Sequence, residues 1–115
     1  MVKKRSDMTT EVRERMREGR GTVELLHVFR QEELRGKTRL FARLRIPRGS
    51  AIGFHRHDGE EEIFYILSGE GVVNDNGETK RVAAGDAVLT GGGAGHAIEN
   101  QSDEPLELMA VILPY

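Results

Sequence analysis

From residue 23 onward the apolar positions fall into short blocks or alternate with polar ones, and none of them follows the 3.6-residue spacing of a helix. The clearest segment is residues 39–46. Leu40, Ala42, Leu44 and Ile46 share one face, and Arg39, Phe41, Arg43 and Arg45 share the other. This predicts a half-buried strand with a solvated, mostly arginine outer side. Residues 23–30 are rich in β-branched and aromatic types, and 62–67 are apolar on both faces except for Glu62. Further strands are predicted over 51–57, 71–73, 80–82, 87–90, 96–99 and 106–113. Asn76-Gly77, between the second and third of these, is a strong hairpin signal. Strands recurring roughly every 8 to 12 residues predict an all-β sandwich or barrel over residues 22–115.

The first 21 residues break the pattern. Between Lys3 and Arg20 lie seven basic and four acidic residues, with Met8, Val12 and Met16 as the bulky apolar side chains. Their spacing by four fits one face of a short helix, and an extended arm on a sheet edge fits equally well. Residues 1–21 are therefore an N-terminal arm, helical or extended.

Composition narrows the class. The chain has 115 residues, enough for one domain with its own core, and no cysteine, so neither disulfides nor thiolate ligands enter. Eleven of its 14 glycines lie between Gly49 and Gly95, where the turns between short strands are expected. A net charge of −2 gives no gross attraction to nucleic acid or membrane surfaces. No apolar run approaches a membrane span, and the basic start leads into polar residues rather than a secretory core, so a cytoplasmic protein is expected.

Against this background the histidines stand out. His55 and His57, two apart, point the same way on a strand, and Glu62 follows five residues later. His96 lies in a second turn-flanked strand, whereas His27 sits in an apolar strand and reads as a core or hydrogen-bonded residue. Imidazoles and a carboxylate suit a divalent transition metal. The glycine run 91–95 does not complete a dinucleotide-binding fingerprint, because His96 occupies its last position. P-loop, nucleophile-elbow and cysteine-nucleophile signatures are absent.

The spacing of these residues resembles the cupin superfamily. Its first motif, G-x5-H-x-H-x(3,4)-E-x6-G, is matched by Gly49, His55, His57, Glu62 and Gly69. Its second, G-x5-P-x-G-x2-H-x3-N, is matched by Gly85, Gly93, His96 and Asn100, with Gly91 in place of the proline, a change expected to loosen that turn. The resemblance implies a single-domain jelly-roll barrel with His55, His57, Glu62 and His96 as ligands of one divalent metal (Mn, Fe, Ni, Co or Zn). The run from His55 to Gly71 looks most like small bacterial oxalate-decarboxylase-like cupins. A small carboxylate, sugar or similar molecule would then be bound, or transformed as by a metal-dependent decarboxylase, dioxygenase or isomerase. A non-enzymatic binding or sensing protein and a metal-stabilised scaffold are the alternatives. Glu60, on the ligand face by alternation, is the candidate catalytic acid or histidine-orienting group. Ile63, Tyr65 and Leu67, with Met109, Val111 and Leu113, leave an apolar outer face that predicts a homodimer.

Overall fold

Strands that hide only one face need a second layer to hide it against, and the chain supplies two. The structure, a computed structural model, describes residues 1–115 and contains ten strands. These are β1 (Thr9–Glu14), β2 (Thr22–His27), β3 (Leu40–Ile46), β4 (Ala51–Arg56), β5 (Glu60–Ser68), β6 (Glu70–Asp75), β7 (Glu78–Ala83), β8 (Ala87–Gly91), β9 (Gly95–Glu99) and β10 (Leu106–Pro114). One antiparallel sheet runs β1-β2-β3-β10-β5-β8 and the other β4-β9-β6-β7. Helical structure is confined to three short 3₁₀ turns, and no helix is long and apolar enough to cross a membrane.

The core between the sheets follows the alternation. Leu44 and Ile46 of β3, Phe64 and Ile66 of β5, and Leu106 and Leu108 of β10 are fully buried. Ile52 and Ile98 close it from the smaller sheet. Between β6 and β7 the chain reverses at Asn76 and Gly77, both at positive φ, the conformation a two-residue hairpin requires.

Two departures from the linear pattern matter for the site. The strand expected over 23–30 ends at His27, and Gln31–Glu33 form a 3₁₀ turn held by a bond from the Arg30 N–H to the Glu33 carboxylate. Arg39, assigned by alternation to the solvated face, sits just before β3 and reaches instead across β10 to Glu60 at the start of β5. Strand ends are free to do this because no cross-strand neighbour fixes their side chains.

Residues 9–14 are extended. They pair antiparallel with β2, with Glu11 opposite Leu25 and Arg13 opposite Val23. Because Val23 and Leu25 point into the core, Glu11 and Arg13 lie on the inner face of the sheet. Met8, Val12 and Met16 share no helical face here: Val12 is largely exposed, whereas Met16 packs on the core.

Candidate metal centre

The four predicted ligand side chains come together from both sheets. His55 on β4 stands directly across from His96 on β9, so their rings share one face. Glu62 reaches in from β5 of the larger sheet, and His57 lies in the turn leading from β4 to β5. A regular strand would point Ile52 and His55 to opposite sides. The register of β4 against β9 slips between them, and the irregularity lets both face inward. The glycine-rich turn holds His57 by its backbone: the His57 N–H donates to Ala94 O at 3.0 Å, and the Gly93 N–H to His57 O at 2.9 Å.

His57 and His96 are 1% exposed and Glu62 4%, with His55 half-buried. The Nε2 atom of His96 lies 3.1 Å from that of His57 and 3.2 Å from that of His55. Glu62 Oε1 is 2.9 Å from His96 Nε2, 3.0 Å from His57 Nε2 and 3.9 Å from His55 Nε2. Each ring is set by a partner on its other nitrogen. His55 Nδ1 donates to Gly53 O at 2.7 Å, an oxygen that can only accept. His57 Nδ1 donates to the Glu60 carboxylate at 2.6 Å, and His96 Nδ1 meets Thr90 Oγ1 at 2.9 Å. Thr90 is itself the cross-strand partner of Glu62. In the tautomer that places the proton on Nδ1, three Nε2 lone pairs and a carboxylate oxygen converge with no donor among them.

Such a buried set of acceptors is repulsive unless a cation lies between them. Donors at right angles, each about 2.1 Å from a common ion, are about 3.0 Å apart, close to the separations seen here. The residues therefore fit a divalent metal, and this cluster could hold one. The electrostatics agree. Burial pushes the Glu62 carboxyl up, but the imidazoles of His55, His96 and His57 around it outweigh that and hold the group down at about 2. Burial lowers the pKa of His96 and favours the neutral ring a metal needs. Phe64 stacks on that ring at 4.8 Å.

Glu60 faces the cluster but is engaged on two sides. The Arg39 Nε and a terminal guanidinium nitrogen donate to its two oxygens, both at 2.8 Å, and His57 takes the second oxygen as well. The Arg39 bonds, aided by His57 against a smaller opposing effect of burial, hold its carboxyl at about 2. Gly91, which replaces the motif proline, ends β8 opposite Glu61, where a Cβ would come within 2.7 Å of the Glu61 Cβ. The missing side chain here allows a close strand approach.

A cavity of about 130 Å³ opens onto the cluster. Besides His55, His57 and Glu62 its wall includes Arg13, Arg17, His27 and Arg39. Sequence reasoning had not placed these four at the site. His27 is hydrogen-bonded as expected: its Nε2 lies 2.8 Å from Glu11 Oε1, and the same carboxylate receives Arg13. The only advance sign of Arg13 and Arg17 was the basic character of the first 20 residues.

The two sheets and the inward histidine–carboxylate cluster define a jelly-roll barrel built around residues that could hold a metal. Residues 42–112 match the family model described as a cupin domain, and the chain belongs to that family. A protein of Thermotoga maritima described as an oxalate-binding protein is 47% identical over 98% of this chain and 93% of its own length. The crystal structure of a predicted oxalate decarboxylase from the same organism superposes with a TM-score of 0.94 at 46% identity, covering all of both chains. An uncharacterized protein of Methanocaldococcus jannaschii is 33% identical over 79% of this chain and 70% of its own.

Proposed function

We propose that this cupin holds one divalent transition metal at His55, His57, Glu62 and His96 and uses it to bind a small carboxylate, with oxalate as the first candidate. The observation that carries this reading is the convergence of three Nε2 atoms and one carboxylate oxygen at the base of a cavity bordered by three arginines. An ion held there would supply Lewis acidity toward the oxygens of a ligand. About 130 Å³ accommodates a ligand of only a few heavy atoms, and the arginines favour an anionic one. The oxalate-binding relative from Thermotoga maritima supports the same ligand class.

Binding is favoured over turnover. Decarboxylation leaves a carbanion-like centre that must take up a proton, so a decarboxylase needs an acid near its ligand that is free to give one. Glu60 is ionised and tied to both Arg39 and His57, and Glu11 is tied to Arg13 and His27. We therefore assign Glu60 as a positioning residue for His57. The test is metal analysis followed by calorimetric titration of the loaded protein with oxalate, alongside an assay for formate and carbon dioxide. One metal per chain, saturable oxalate binding and no product are expected. Product formation at enzymatic rates would replace this reading with a decarboxylase.

The protein also acts, on this reading, as a homodimer through the outer face of the larger sheet. Tyr65 and Leu89 are about half and two-thirds exposed, and they flank the half-buried Ile63, Met109 and Val111 on paired strands.

A further inference from the structure

We propose that Arg17, presented by a left-handed strap across the barrel mouth, is the specificity residue that reads the second carboxylate of a metal-held dicarboxylate. The inference rests on the metal and carboxylate reading given above and goes on to the residue that selects among carboxylates.

The strap is residues 15–19, between β1 and β2. Three of its residues bear side chains yet have positive φ: Arg15 at 50°, Arg17 at 53° and Glu18 at 64°. Glycine would take these conformations without steric cost, and none of the three is glycine. The strap is nonetheless firmly fixed. The Arg15 N–H donates to Gly21 O, the Gly19 N–H to Met16 O and the Ala51 N–H to Arg20 O. It lies so close on β4 that a Cβ on Gly53 would collide with Arg17 O, and one on Gly19 with Ala51 O. Gly53 O is in turn the acceptor that orients His55. Side chains held in a disfavoured backbone conformation, seated against a metal-ligand support, point to a use for the side chain.

Charge identifies that use. Of the three arginines at the cavity, Arg39 is neutralised by Glu60 and Arg13 by Glu11, whereas Arg17 pairs with no carboxylate. Glu62 offsets one charge of a divalent ion, and Arg17 restores the balance to two positive charges. That matches a dicarboxylate such as oxalate at neutral pH. A ligand with one carboxylate and a hydroxyl could chelate the ion equally well but would leave Arg17 unanswered.

The experiment titrates manganese-loaded wild-type protein, Arg17→Gly and Arg17→Lys with oxalate and with glycolate by calorimetry, and records manganese affinity and melting temperature for each. In Arg17→Gly, oxalate affinity should fall about 10- to 100-fold, the loss of one charge-assisted contact. Glycolate and manganese affinities should change less than about threefold, a difference too small to represent such a contact. Its melting temperature should hold or rise, because glycine relieves the left-handed residue. Arg17→Lys should recover part of the oxalate affinity. Oxalate binding left intact in Arg17→Gly, or equal losses for both ligands, would overturn the role of Arg17 alone. Wild-type protein that takes up manganese but no oxalate would overturn the underlying reading, and this inference with it.

Discussion

Each histidine of the cluster is aimed by a group acting on its far nitrogen, and the three groups differ in what they can lose. Gly53 O is backbone and Thr90 a neutral hydroxyl, but Glu60 is a charged carboxylate shared between His57 and Arg39. Glu60→Gln keeps the shape and removes the charge. It should lower metal affinity about 10-fold by weakening the hold on the His57 tautomer, as read by competition with a chelating dye. Glu11, away from the four clustered residues, is also strongly shifted. The Arg13 bond first, then that of His27, holds it at about 2, well below the ordinary carboxyl range. A depressed carboxyl contributes stability above its unfolded value and loses it as pH falls toward the folded one. Glu11→Gln should therefore be less stable than wild type by about 1 kcal/mol at neutral pH, a figure discounted for solvent screening at this partly exposed pair. The gap should close between roughly pH 4.5 and 2 in denaturant titrations, since both proteins then lack the charge.

At the scale of elements, the strap and β4 are joined by the absence of two side chains. Gly53→Ala would drive a methyl group into the Arg17 carbonyl and should cost about 1–3 kcal/mol, the usual penalty for overpacking, while weakening metal binding through His55. Gly36, with open space around it and no positive φ, is the control: Gly36→Ala should cost nothing or gain up to about 1 kcal/mol in chemical denaturation. These elements also mark where the linear sequence is readable. The inward faces of β3 and β5 follow from alternation alone, because a period of two converts directly into a buried side. His55, His57, Glu62 and His96 were legible through motif spacing, and the pairing of β4 with β9 brings two of them face to face. Arg13 and Arg17 were not. What puts them at the cavity is the pairing of β1 with β2 and a strap in an unusual backbone region, neither of which leaves a periodic trace. Arg39 escaped for a related reason, as alternation does not govern a residue just outside a strand.

At the scale of the whole molecule, the site is a fastener between the two sheets. His55 and His96 belong to the smaller sheet, Glu62 to the larger, and His57 to the turn that joins β4 to β5. Separating the sheets must break this ligand set, so a bound metal stabilises the folded chain by mass action as well as serving any ligand. With free metal at 100 times its dissociation constant the gain is about 2.7 kcal/mol. For a domain of this size that raises the melting temperature by roughly 10 to 20 °C, and chelation should reverse it. His96→Ala separates this coupling from ordinary packing. Removing a buried ring stacked on Phe64 should lower the melting temperature of the metal-free protein by itself. If the sheets are fastened through the site, added metal should then restore little of the loss. A variant that regained the full metal-dependent increment would show that the fastening does not run through His96.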